Sequence, residues 1–188
     1  MFDRINETVG ADDTLYILGD FCFRGKKPIE YRSRIVCRDV HLNYGNHDRR
    51  NDFKDDLQGF SSVQDVNEII YCNQRIYLSH YAARVWPASH KGSYMLYGHS
   101  HSKLDNEDRI SSRKTLDVGV DNAVNYGKMF GEPFSFKEIL QTSFEHPDTK
   151  SKTYYPANKQ CYKTNINSPI SIATIVEFKT VNNNPTQA

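Results

Sequence analysis

Four short clusters in the chain carry side chains able to hold a divalent metal: Gly19-Asp20, Gly45-Asn46-His47-Asp48, Ser79-His80 and Gly98-His99-Ser100-His101. Carboxylate, amide oxygen and imidazole together suit manganese, iron, zinc or nickel better than calcium, which prefers all-oxygen shells. Glycine in three of the clusters lets the backbone turn sharply and aim the following side chain into a cleft. Taken singly, each residue has a plainer reading. Asp20 fits a helix N-cap, Asn46 fits a tight turn through its tolerance of left-handed backbone, and the histidines fit polar strand ends. Recurrence is what joins them. Each cluster closes a run of strand character, and α/β proteins build their sites at the carboxyl ends of strands.

The elements that must position these clusters follow from periodicity. Thr14 to Leu18 is almost wholly apolar, as a strand buried on both faces requires. A second strand alternates Val40, Leu42 and Tyr44 and stops at Gly45. Val63 to Tyr71 and Arg75 to Ser79 read as two strands around a turn at Cys72-Asn73-Gln74, the second delivering His80. Tyr94 to Tyr97 delivers His99, and Leu116 to Val120 is the last strand of the series. A short helix is expected over 2–8, and Pro28 opens another whose face carries Ile29, Ile35 and Val36. Ser135-x-x-Glu138 is a capping box for a helix from Phe136 to about Thr142, with Phe134 and Ile139 at staple positions.

From Glu145 onward Asn, Thr, Ser, Lys and Pro dominate, and the apolar run Ile170 to Phe178 reads as an added edge strand on a linker, with a wholly disordered tail as the alternative. Hydrophobic residues are 38% and charged residues 25% of 188, so a real core is available and a disordered chain is excluded. Lys plus Arg number 24 against 23 for Asp plus Glu. That balance argues against a nucleic-acid-binding protein working through the basic residues of 24–27 and 32–38, since such binding is driven by excess positive charge. No apolar run is long enough to span a bilayer. No basic cap and apolar stretch mark an export signal, so a cytoplasmic location is expected. The four cysteines lack a Cys-x-x-Cys and are expected to be reduced thiols.

Leu18-Gly19-Asp20, Gly45-Asn46-His47-Asp48, Ser79-His80-Tyr81 and Gly98-His99-Ser100-His101 resemble, in order and spacing, the successive motifs of the calcineurin-like metallophosphoesterases. The likeness covers roughly residues 13–142. It implies an α/β fold of four layers, an αββα sandwich, over residues 1–144, with 145–188 as a polar extension. It also implies a dinuclear centre of Mn, Fe, Zn or Ni, with Asp20 bridging, Asn46, His80 and His99 completing the second site, and His101 serving the first. The reaction implied is in-line attack of a metal-bound hydroxide on phosphorus. His47 would protonate the leaving oxygen and Asp48 would orient it. The implied partner is a phosphoester small molecule or nucleotide, a phosphodiester or phosphomonoester, with nucleic acid entering only as substrate and no membrane involved. Asp48 stands where the protein phosphatases have glutamate, and Phe21 to Gly25 lacks their Asp-Arg-Gly, which points away from phosphoprotein substrates.

The family's first strand ends in Asp-x-His, and the chain is expected to lack that motif altogether, with no such strand before Thr14. The resemblance therefore implies an N-terminally incomplete member, with only Asp20 and His101 left for the first metal. The edge beside Leu15 to Leu18 would then need another strand, and Ile170 to Phe178 is a candidate filler. A second function class follows: a single-metal-binding remnant of the fold, weakly active or non-catalytic, acting as an interaction module. Of the remaining candidates, His41 reads as a strand-face residue and His146 as solvated. His90 reads as a loop residue able to reach substrate. Arg49 and Arg50 read as phosphate contacts or a solvated helix start, and Arg84 and Trp86 as cleft lining or packing.

Overall fold

The computed structural model describes residues 1–22, 27–48, 50, 59–142 and 169–173. The elements run α1 (Phe2–Thr8), β1 (Thr14–Leu18), α2 (Pro28–Arg32), β2 (Asp39–Asn43), β3 (Ser62–Gln64), β4 (Val66–Tyr71), β5 (Gln74–Ser79), β6 (Tyr94–Tyr97), α3 (Asp105–Ile110), β7 (Thr115–Asp117), β8 (Phe134–Ser135), α4 (Phe136–Thr142) and β9 (Ile170–Ala173). They form two mostly parallel sheets of order β3-β2-β1-β9-β8 and β4-β5-β6-β7.

The apolar run of β1 is explained by burial on both faces. Leu15 and Ile17 pack with Val40 and Leu42 of β2 and with Phe2, Ile5 and Val9 from α1 and its end. Tyr16 and Leu18, on the opposite face, join Ile76, Leu78, Tyr94, Leu96 and Leu116 of the second sheet. One apolar core therefore lies between the sheets. Burying each such side chain contributes roughly 1.5–3 kcal/mol. A third cluster, Trp86, Met95 and Tyr97, packs on the outer face of the second sheet with Leu104 at the start of α3. Between the sheets one polar link is built from buried amides: Asn43 Nδ2 donates to the Leu78 carbonyl at 3.3 Å, and Asn67 Nδ2 donates to Asn43 Oδ1 at 3.1 Å.

Both edges of β1 are paired. β9 runs parallel to it from Thr14↔Ile170 to Ile17↔Ala173, and antiparallel to β8 on its other side. The apolar segment that opens at Ile170 thus takes the place beside β1, with Ile170 and Ile172 in the inter-sheet core. Residues 174–178 of the expected strand lie outside the described residues.

Other expectations need correction. Val63 to Tyr71 is two strands in different sheets, because the chain crosses between sheets at Asp65, where the spacing of three between Val63 and Val66 shifts the strand phase. The helix opened by Pro28 ends at Arg32, so Ile35 and Val36 do not extend its face, and Val36 is exposed. The strand reaching Leu116 ends at Asp117. The hairpin turn is Cys72-Asn73, both at positive φ, with Tyr71 facing Gln74 across it; two such residues match the right-handed twist of the flanking strands. The capping box is formed as expected. Ser135 N donates to Glu138 Oε2 at 2.8 Å and Glu138 N to Ser135 Oγ at 3.3 Å. Cys22 and Cys37 are buried thiols outside any disulfide, but Cys72 is disulfide-bonded, contrary to the expected reduced thiol; Cys161 lies outside the described residues. No helix among the described residues is long and apolar enough to cross a membrane.

Candidate metal centre

The loops after β1 and β2 close on each other because glycine stands at both contact points. Gly19 has φ +89°, and a Cβ there would run into His80 Nδ1 and the Gly45 backbone. A Cβ on Gly45 would run into the amide and carboxylate of Asp20. Asp20 itself is held at φ 55°, left-handed for a non-glycine residue, so its carboxylate turns inward and is 4% exposed. Asp48 ties the two loops, accepting from Cys22 N at 2.9 Å through Oδ1 and from Gly45 N at 2.8 Å through Oδ2. Burial pushes the Asp48 carboxyl up to about 7, against the pull of these two amides. The contacts of its oxygens are therefore to backbone, where the resemblance implied a role in orienting His47.

His47 N donates to Asp20 Oδ1 at 3.0 Å, which leaves Asp20 Oδ2 directed at His80 Nε2 at 3.6 Å. His80 is 1% exposed and comes off the end of β5. Its Nδ1 lies 2.8 Å from the Leu18 carbonyl. A carbonyl oxygen only accepts, so Nδ1 carries the proton and Nε2 of the neutral ring presents a lone pair. Burial, the largest influence, lowers the His80 pKa and favours that neutral ring; the Leu18 bond and Asp20 act in the opposite sense. Around Nε2 stand Asn46 Oδ1 at 2.9 Å and His99 Nδ1 at 3.1 Å. Amide oxygen, imidazole nitrogen and carboxylate oxygen thus converge with their lone pairs toward one point, an arrangement that a cation relieves. One atom each from Asp20, His80 and His99 lie within 4.8 Å of one another, the one such trio of His, Cys, Asp or Glu among the described residues. These residues fit a divalent metal by geometry and donor type, and Asn46 supplies a fourth, neutral donor.

His99 is exposed, with φ 63°, at the end of β6. The half-exposed Tyr81 ring sets its edge against both imidazoles, 4.9 Å from His80 and 4.5 Å from His99 between centroids. His101 does not join this group. Its Nδ1 pairs with Asp121 Oδ2 at 2.6 Å, on the loop after β7. The His47 side chain is exposed at the rim of the site.

The other candidates resolve by their surroundings. His41 lies on β2, stacked on Tyr16 at 4.6 Å with Nδ1 2.7 Å from Ser62 Oγ, a strand-face residue as expected. The expected lack of Asp-x-His needs correction, since Asp39-Val40-His41 spells it; the motif nevertheless opens β2 at the end of the strand opposite the site, and Asp39 accepts from Thr14 and Ser61 hydroxyls. Arg50 pairs with Asp65 and lies over the Tyr44 ring, so it is engaged away from the trio. Trp86 is buried and donates to the Ser93 carbonyl, which is packing. His90 is exposed in a 3-10 turn and Arg84 is exposed in the loop after His80; His146 and Arg49 lie outside the described residues. A fifth cluster of this kind goes unrecognised in the sequence. Asp117-Val118-Gly119-Val120-Asp121 obeys the same rule of a strand closing on a carboxylate and a glycine, and it supplies the partners of Ser100 and His101.

No family model matches the chain, and no curated protein matches it. Among solved structures it is similar to the crystal structure of AQ665, a protein of unknown function from Aquifex aeolicus. The likeness has 24% sequence identity over 74% of this chain and 81% of that one, with a TM-score of 0.53. At that identity the likeness is one of fold, a mixed α/β architecture of two sheets flanked by helices.

Proposed function

We propose that the chain is a metal-dependent phosphoesterase of the calcineurin-like class, built on an αββα sandwich and hydrolysing a phosphodiester or phosphomonoester. The observation that carries this reading is the convergence of Asp20, Asn46, His80 and His99, brought from the ends of strands in both sheets to one point. A divalent cation such as Mn, Fe, Zn or Ni, when bound there, supplies charge stabilisation to the phosphoryl oxygens and makes water a competent nucleophile near neutral pH. Asp20, Asn46, His80 and His99 are its protein ligands. The loop crossing fixed by Gly19 and Gly45 sets their spacing, and Asp48 holds that crossing closed by its two amide bonds. His47, exposed at the rim and anchored through its backbone amide to Asp20, delivers the proton to the leaving oxygen. The substrate class is a small phosphoester or nucleotide, and the half-exposed Tyr81 ring offers an apolar surface beside the reacting group.

A second reading, a single-metal module without turnover, is favoured by one observation: His101 is engaged by Asp121 and stands apart from the other four ligands. Hydrolysis of a chromogenic phosphodiester titrated with manganese, with His99→Ala as the blank, separates the two. Turnover that requires both manganese and His99 is the expected result. Metal uptake without turnover supports the second reading, and unchanged metal content in His99→Ala or Asn46→Ala overturns the ligand assignment.

A further inference from the structure

We infer that Asp117, a residue that touches none of the proposed ligands, is the positioning residue of the metal centre and acts through Ser100. The inference rests on the metal-binding reading above. The loop carrying His99 is held in a backbone conformation it would not choose: His99, His101 and Ser102 have φ of 63°, 50° and 64°. Left-handed backbone at three non-glycine residues within four positions persists only where the surroundings over-determine it. Asp117, at the end of β7 and 0% exposed, supplies that determination. Its Oδ2 accepts from the Ser100 hydroxyl and from Ser102 N at 3.2 Å, one residue beyond each histidine. Its Oδ1 accepts from Gly119 N at 2.8 Å.

Asp117 is itself immobilised. Its amide donates to Asp108 Oδ2 at 3.1 Å and its carbonyl accepts from Asn122 Nδ2 at 2.8 Å. Every partner of the carboxylate is a donor, so both oxygens must be acceptors. Asparagine cannot satisfy them, since its NH2 would face either the Gly119 or the Ser102 amide. The carboxylate therefore fixes where His99 points without being a ligand, as groups that orient metal ligands from behind do.

The test is manganese affinity by isothermal titration of the full chain, at a temperature where each variant is folded. Ser100→Ala and Asp117→Asn are each expected to weaken manganese binding about 10–100-fold. Ser100→Thr, which keeps the hydroxyl, should restore affinity to near wild type. The double variant should lose no more than Asp117→Asn alone, because both act through one contact. Tyr126→Phe removes a hydroxyl from Asp105 in the adjoining buried acid cluster, away from Ser100, and measures what a purely structural loss does; it should lower the melting temperature and leave manganese affinity unchanged. Should Asp117→Asn fail to fold, Ser100→Ala and Ser100→Thr decide alone. Unaltered affinity in folded Ser100→Ala, or an equal loss in Tyr126→Phe, overturns the inference while the metal reading stands. Absence of manganese binding by the wild-type chain takes both down.

Discussion

An imidazole that commits one nitrogen to a backbone carbonyl has a single nitrogen left to offer, and at His80 the commitment is made to Leu18, the last residue of β1. The strand that carries Asp20 into the site therefore also chooses the tautomer of the histidine facing it. This coupling depends on Gly19, the one residue between them, whose missing side chain is what lets the ring and the Gly45 backbone approach. Gly19→Ala should accordingly fail twice, by strain at φ +89° and by collision with His80. We expect a loss of roughly 1–3 kcal/mol in urea unfolding together with weakened metal uptake. Wild-type behaviour of Gly19→Ala in both measurements would contradict the loop crossing. The four ligand clusters were legible in the sequence because each is a local word, polar metal-binding residues closing an apolar run, with a glycine in three of the four. The partners of Asp48 were not legible. Its carboxylate bonds to backbone amides at Cys22 and Gly45, and a backbone donor leaves no trace in residue identity. The Ser100–Asp117 contact was hidden for a similar reason: it joins positions 17 apart, and serine between two histidines reads as filler.

Among the elements, β9 shows most clearly what the sequence can and cannot say. Ile170 and Ile172 were recognisable as a strand face by alternation alone, yet nothing in four residues states which edge they join. The structure sets them against β1 in parallel and β8 in antiparallel register, and so completes the sheet that carries Asp20. Ile172 is 0% exposed within the inter-sheet core. Ile172→Ala should therefore cost about 2–4 kcal/mol in equilibrium unfolding, the range for emptying a buried aliphatic site. A loss below about 1 kcal/mol would mean that these residues pack elsewhere. The opposite lesson comes from β3 and β4. Apolar residues recur through Val63, Val66, Ile69 and Ile70 with no glycine or proline to mark a break, so the segment reads as one strand, although Val63 and Val66 are three apart and out of strand phase. The switch of sheet at Asp65 is a decision of tertiary packing, made where β3 pairs with β2 and β4 pairs with β5.

At the scale of the whole molecule, the two sheets divide the work: the first brings Asp20 and Asn46, the second brings His80 and His99 and pays for its loop with buried acid. Behind that loop Asp105, Asp108 and Asp117 are all 8% exposed or less, with Tyr97 donating to Asp108 at 2.7 Å and Tyr126 to Asp105 at 2.7 Å. Arg109 pairs with Asp105 at 2.7 Å, and among the described residues no cation pairs with Asp108 or Asp117. Burial pushes the Asp108 carboxyl from its ordinary 3.8 up to about 6, against hydrogen bonds from Tyr97, Thr115 and the Asp117 amide. Between those two values the folded chain keeps a proton that the unfolded chain has released. The folded state then binds more protons than the unfolded state, so stability falls as pH rises through this window. The stabilisation is fully present below about pH 4 and gone above the folded value, and its size is on the order of 3 kcal/mol. Asp108→Asn cannot titrate and keeps an oxygen for the Tyr97 hydroxyl. The stability difference between wild type and Asp108→Asn, measured by urea unfolding with a chelator present, should therefore shift toward the wild type as pH drops from about 7 to about 4. Titrations common to both proteins cancel in that difference. A difference that stays flat with pH would mean that Asp108 is ionised in the fold, and that the acid cluster behind the histidine loop is more open to water than its burial implies.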